Sequence, residues 1–424
     1  MPYKLKSIFD FDGININFAY VKSSIHIILR NMKISDRIYS VGVNDNEKVL
    51  FEGLWPLPYG VSYNSYIVSD EKIALIDTVE AGFEEEYLAN VKEVINDRMP
   101  DYLVVNHMEP DHASLITYML SEYPDMKIIA NAKTLPMLKG YHNVAEDRVL
   151  VVSEGQEISL GQTTLRFHMT PMVHWPETMV TYLVEEATLF SADAFGTFGT
   201  VGDIIVDDEN TFEEYKDEMI RYYSNIVGKY GGPVQTALKK LAGVKIDRIC
   251  STHGPVWEKN IADVIALYDK MSRYEVERGV CIVYGSMYGN TASAADALAL
   301  ELENMGVPYA IHDLAGNNES SLELSGALRD VFKYDTVVVG SPTYNGGIFP
   351  PVEGFMRALS ARMIKNRRFF AFGSYTWAAA SVKLLNKMAE DMSFELIDDG
   401  FSFSQAYSKS KCDMKRIADL IAGK

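Results

Sequence analysis

Residues 102–112 read YLVVNHMEPDH. The first four are an apolar, β-rich run that predicts a buried strand. The last six hold four potential metal donors, His107, Glu109, Asp111 and His112. Pro110 works against a helix, so the hexapeptide is expected as a loop that turns several side chains toward one point. Three later segments repeat the order of apolar strand, small or turn residue, then donor. His174 follows a strand at 164–169, Asp193 follows 188–191, and His253 follows 248–251. Strands of one sheet system can deliver such residues to a single edge. One divalent ion takes about four to six donors, and this set offers more. The pattern therefore points to two metals, with Asp193 as the candidate bridge. Imidazole and carboxylate without thiolate suit iron, manganese or zinc. The remaining histidines, His26, His142, His168 and His312, read as surface or packing residues.

Outward from that loop, strands at 38–43, 62–68, 73–77, 102–105, 127–130, 149–152, 164–169, 179–184 and 188–191 mix with helices at 84–97, 113–120, 211–227, 234–242 and 260–277. Strands interleaved with sheet-covering helices predict an αββα sandwich over residues 34–277. The text changes near Arg278. Strands at 280–284, 309–312, 336–339, 369–372 and 394–397 alternate with helices at 292–305, 322–331, 351–361, 378–391 and 409–422. That alternation predicts a doubly wound parallel sheet over residues 278–424. Residues 1–33 carry Lys4, Lys6, Lys22, Arg30 and Lys33 against Asp10 and Asp12, with no small-residue cleavage site. They read as a poorly ordered extension, not a secretory signal.

In the second unit, three loops follow strand ends. The first, Ser286, Met287, Tyr288, Gly289, Asn290 and Thr291, precedes a helix, so hydroxyls and backbone N–H groups can cradle a phosphate. It lacks the Gly-Lys-Ser/Thr ending of a nucleoside-triphosphate loop, and no GxGxxG marks a dinucleotide site. The second loop is Ser341, Pro342, Thr343, Tyr344, Asn345, Gly346 and Gly347, and the third is Ser374, Tyr375, Thr376 and Trp377. Both are expected on the phosphate loop's side of the sheet, where aromatic faces suit a flat conjugated ring.

The whole chain has 424 residues, 47% hydrophobic and 23% charged, which is ordinary for a globular protein. A net charge of −18 argues against nucleic-acid binding. No apolar run approaches the roughly 18–20 residues of a membrane helix. The three cysteines, Cys250, Cys281 and Cys412, form no CxxC pair. A disulfide framework, a zinc ribbon and a fused rubredoxin are excluded, and a reducing cytoplasm is expected.

The HxExDH loop with His174, Asp193 and His253, together with the three later loops, resembles the flavodiiron family from about residue 34 to the C-terminus. The resemblance implies a metallo-β-lactamase-like domain followed by a flavodoxin-like FMN domain. Hydrolytic relatives carry HxHxDH and usually bind zinc, and here Glu109 stands where they have histidine. A carboxylate in that place favours iron. By the resemblance, His107, Glu109 and His174 bind one non-haem iron, Asp111 and His253 the other, and Asp193 lies between. His112 stands beside them, holding a water or orienting a carboxylate. The three loops resemble a flavodoxin FMN site, with Thr376 where the family commonly has glycine. The implied activity is reduction of O2 to water, of NO to N2O, or both, for detoxification. Electrons would come from an external rubredoxin or a reduced deazaflavin coenzyme. A head-to-tail homodimer, or a dimer of such dimers, would bring the FMN of one subunit to the irons of the next. The cluster Arg362, Lys365, Arg367 and Arg368 is expected as a solvated strand entrance, with docking of an acidic donor as the alternative. The rival readings are a dizinc hydrolase fused to a flavodoxin and a pure electron carrier.

Overall fold

The computed structural model describes residues 32–202, 205–316 and 320–423. Most of the expected N-terminal extension, residues 1–31, lies outside them. Two sheets build the first half. One runs, edge to edge, Ile38–Ser40, Tyr66–Ser69, Ile73–Ile76, Tyr102–Val104, Lys127–Asn131 and Val149–Val152. Its first two pairings are antiparallel and its last three parallel. The other runs Glu157–Ser159, Thr164–Met169, Met179–Leu183, Thr188–Phe190 and Arg248–Cys250, with only the last pairing parallel. The inner faces meet through Ile76, Val104 and Ile129 of one sheet and Leu165, Phe167 and Phe190 of the other. Helices such as Glu84–Ile95 and Ile261–Ser272 cover the outer faces through their buried stripes, Tyr87, Leu88 and Val91 in the former, Val264, Tyr268 and Met271 in the latter.

The second half is the expected doubly wound sheet. Its order is Tyr309–Asp313, Glu277–Tyr284, Tyr334–Gly340, Arg368–Tyr375, with Glu395–Leu396 and Phe401–Ser404 both pairing with the last of these. Every pairing is parallel. The strand Glu277–Tyr284 buries all of Gly279 to Tyr284, as a strand covered on both faces must. The phosphate-loop helix, Asn290–Asn304, lays Thr291, Ala294, Ala295, Leu298 and Leu302 on that sheet.

Several expectations are corrected. Pro110 does not keep its loop out of a helix but opens a one-turn helix, Pro110–Ala113. The first helical residue needs no N–H partner, so proline is welcome there. The helix Thr134–His142 is additional to the expected elements. Pro136 sits in the first turn, where N–H groups have no acceptor in the helix. The expected helix 113–120 is Ile116–Glu122, and that at 260–277 stops at Ser272, with the next strand starting at Glu277. The expected helix 211–227 ends as a π-turn, Tyr223–Val227. The strand at 62–68 is broken between Tyr63 and Tyr66, and the strand Phe401–Ser404 is additional.

Of the basic cluster, Lys365 is exposed and Arg368 half-buried, but the other two residues are not solvated. Arg362 and Arg367 are buried and bind backbone carbonyls across the two halves. Arg362 donates to the carbonyls of Ser224 and Asn225 in the π-turn, at 2.6 and 3.1 Å, and lies over the Trp55 ring. Arg367 donates to Val331, Tyr274 and Lys365 carbonyls at 2.7, 3.1 and 2.6 Å. Beside them Phe332 packs on Tyr223 and Tyr274. Gly228 is required at this seam, because a Cβ there would lie 2.8 Å from the Phe332 ring.

Candidate functional site

The strands deliver their donors to one edge. His107 and Glu109 follow Tyr102–Val104, and the short helix after them carries Asp111 and His112. His174, Asp193 and His253 follow Thr164–Met169, Thr188–Phe190 and Arg248–Cys250. All seven side chains are buried. They form two groups whose donor atoms lie within 4.8 Å of one another, His107, Glu109, His174 and Asp193 in the first, Asp111, His112 and His253 in the second. Asp193 faces both. Its Oδ2 lies 3.0 Å from His174 Nε2 and 3.4 Å from His107 Nε2. Its Oδ1 lies 2.9 Å from His112 Nε2 and 3.8 Å from His253 Nε2. Glu109 Oε2 adds 2.9 Å to His174 and 3.4 Å to His107, and Asp111 lies 3.3 Å from both His112 and His253.

The electrostatics call for added positive charge. Burial opposes a charged imidazole at His174, yet the Asp193 and Glu109 carboxylates outweigh it and raise its pKa to about 9. Burial likewise opposes charge on His112, and Asp111 and Asp193 raise it to about 9. Among the described residues, His107 Nε2, His253 Nε2, both ring nitrogens of His112 and both carboxylate oxygens of Asp111 are buried with no hydrogen-bond partner. Buried polar atoms are rarely left orphaned. One of these orphans, His107 Nε2, belongs to the first group, where two carboxylates crowd two imidazoles, and the rest belong to the second, so the residues fit a pair of metal ions.

Several contributors escaped the sequence reading. Glu177, three residues beyond His174, accepts the Nδ1–H of His107 at 2.8 Å and the Met108 N–H at 3.0 Å. Thr252 donates to Asp193 Oδ1 at 2.6 Å. Ser62 offers its carbonyl to His253 Nδ1 at 2.7 Å. Phe51, Tyr63 and Tyr222 wall His253 at ring distances of 5.4, 5.9 and 5.4 Å. Glu52, on a hairpin held by its 3.1 Å bond from Trp55 Nε1, has its pKa raised to about 7 by burial and by Glu109. An acid three residues past a donor and a threonine immediately before one were the available signals.

A second concavity, of about 340 Å³, lies where the three later loops meet. Ser286, Met287, Tyr288, Asn290 and Thr291 line it from the first loop, Pro342, Thr343, Tyr344 and Asn345 from the second, and Ser374, Tyr375, Thr376 and Trp377 from the third. Gly289 does not line it but turns the chain into the helix at φ +82°, a conformation that suits glycine. Thr291 and Ser374 hydroxyls join two loops at 3.0 Å. Ser341 is buried and spent inside its own loop, accepting the Phe349 N–H and donating to the Pro342 carbonyl. Gly346 and Gly347 belong to the hairpin turn between Thr343–Tyr344 and Gly347–Ile348 and do not line the cavity. Ala378 and Gln405 line it in addition; Gln405 follows the unexpected strand Phe401–Ser404, which hid it. Tyr288 and Trp377, both of which line it, are 88% and 86% exposed.

Comparison with known proteins matches both halves. Residues 61–254 fit the model described as ODP family beta lactamase, and residues 282–415 the flavodoxin model. An anaerobic nitric oxide reductase flavorubredoxin of Escherichia coli is 33% identical over 369 residues, covering 86% of this chain and 76% of that protein. The chain belongs to the flavodiiron protein family. The rubredoxin oxygen:oxidoreductase of Desulfovibrio gigas superposes on this flavodiiron protein with a TM-score of 0.85 at 29% identity, covering 92% of this chain and 97% of that one. The flavodiiron protein of Giardia intestinalis gives 0.85 at 26% identity, over 92% and 94%. Membership implies FMN in the flavodoxin domain and a non-haem diiron site in the lactamase-like domain. No helix among the described residues is long and apolar enough to cross a membrane.

Proposed function

We propose that this flavodiiron protein reduces dioxygen, nitric oxide or both, removing gases toxic to its host. The observation that carries the reading is the convergence of buried imidazole and carboxylate donors in two groups either side of Asp193, in a chain that also holds the flavin cavity. The names of the two relatives support both gases, nitric oxide through the flavorubredoxin and oxygen through the oxidoreductase. In this reading residues 34–277 form the metal unit and 278–424 the flavin unit.

When bound, FMN would accept electrons and pass them singly, and the irons would give a diatomic gas a place to receive them. His107, Glu109 and His174 would hold one iron and Asp111 and His253 the other. Asp193 would serve both, since each of its oxygens faces one group. His112 joins the second group as a donor, because its Nε2 faces Asp193 and Asp111. Thr252 fixes the Asp193 carboxylate, and the Phe51, Tyr63 and Tyr222 rings exclude water from the His253 side. Glu52 stands next to Glu109, at the rim of the first group. Oxygen would take four electrons and four protons to two waters, and two nitric oxide molecules two electrons and two protons to nitrous oxide and water.

The electron donor is external in this reading, a rubredoxin or a reduced deazaflavin coenzyme. The exposed Tyr288 and Trp377 support a face that meets another surface, and a head-to-tail homodimer would supply it. The three free cysteines suit a reducing cytoplasm. Anaerobic reconstitution with iron and FMN, followed by each gas in turn under chemically reduced donor, tests the proposal. Consumption of at least one gas is expected, and consumption of neither overturns it. Metal analysis of protein purified without added metal separates it from a dizinc hydrolase.

A further inference from the structure

The two metal positions are backed differently. Behind His107, the Nδ1–H meets Glu177 Oε1 at 2.8 Å, and the same oxygen accepts the Met108 N–H. Both side chains are fully buried. Accepting two N–H groups holds Glu177 as a carboxylate. Behind His253 stands only the neutral Ser62 carbonyl, at 2.7 Å, and His112 Nδ1 has no partner among the described residues. The other Glu177 oxygen is buried without a partner among those residues, so nothing there neutralises it. Lys133 lines the same cavity of about 260 Å³ as Glu177 but makes no ion pair with it.

A carboxylate behind a ligating imidazole fixes its tautomer, turns Nε2 toward the metal and raises its basicity. It also adds negative charge where water does not screen it. The first group thus has Glu109 and Glu177 besides the shared Asp193, and the second has Asp111. We propose that Glu177 is a positioning residue that makes the two positions unequal: through His107 it tightens the hold on the first metal and makes that metal the harder to reduce. The inference rests on the reading of the site as a two-metal centre.

The test uses the full-length holoprotein, loaded anaerobically with ferrous iron, beside Glu177→Gln. The Glu154→Gln variant serves as control, because Glu154 pairs with His168, outside the donor set. Competition with an iron chelator follows release of each ion, and an electrochemical titration read by electron paramagnetic resonance follows their reduction. Wild type is expected to release its irons in two steps. In Glu177→Gln the tighter step weakens by about 10–100-fold, the looser step stays, and reduction of the first iron becomes easier. FMN content and the control stay at wild-type values. Equal release of both irons from wild type overturns the inference without recourse to any variant. So does a Glu177→Gln protein that keeps both steps and its reduction profile, or one that weakens both steps equally. A wild-type chain that binds fewer than two metals refutes the two-metal reading itself.

Discussion

The metal centre and the flavin cavity are built on opposite principles. Around Asp193, all the donors are buried and several face each other unpartnered, so the scaffold carries the cost of converging charge before any ion arrives. The flavin cavity is open, its loops are tied to each other, and two aromatic side chains stand in solvent beside it. A site that must hold charged, reactive species needs insulation. A site that must exchange electrons with partners needs a face. One chain meets both demands by putting one site inside a β-sandwich edge and the other on loops of a parallel sheet.

The sharpest way to break this contrast is Asp193→Ala. It removes the carboxylate common to both groups, so gas reduction is expected to be abolished while FMN stays bound, as read by gas uptake and flavin absorbance. Surviving activity would leave the bridge without a role. Next, Gly289→Val forces a β-branched residue toward a left-handed backbone. A strain of about 1–2 kcal/mol is expected to weaken FMN binding by about 5- to 30-fold, with metal content unchanged by metal analysis. At the seam, Arg367→Met orphans buried carbonyls, and a stability loss of about 1–3 kcal/mol is expected in denaturant unfolding.

The contrast also has a pH signature. His112 and His174 have pKa values raised from 6.5 to about 9 in the metal-free protein, and a ligating imidazole must be neutral. Metal therefore displaces protons. The apparent metal affinity is expected to rise with pH up to about 9 and then level off, whereas FMN affinity does not follow that course. Proton release on iron uptake, measured in weakly buffered solution at pH 7, checks the sign. The smallest expected effect is Trp377→Ala. The side chain is almost fully exposed, so stability should change by less than about 0.5 kcal/mol, while FMN affinity falls in fluorescence titration.

Most of the element order and the six candidate donors His107, Glu109, Asp111, His174, Asp193 and His253, with His112 beside them, were legible because they lie on loops that follow apolar strands, and strands announce themselves in one dimension. The flavin loops were legible for the same reason. What was hidden depends on tertiary partners. Arg367 in a run of four cations reads as surface, and only the carbonyls of Val331 and Tyr274, far away in sequence, turn it into a buried strut. Glu177 looks like any loop acid until His107 is placed behind it, 70 residues away. Gln405 was missed because the short strand before it alternates too briefly to stand out. Pro110 misled because a proline in the first turn marks a helix start as readily as a break.

The most direct test of the central claim is a crystal structure of the protein loaded with iron and FMN, with anomalous scattering recorded at the iron and zinc edges. The account predicts two iron peaks, one facing each oxygen of Asp193, the first among His107, Glu109 and His174 and the second among Asp111, His112 and His253. A single peak, zinc at both positions, or imidazoles turned away from Asp193 would contradict it.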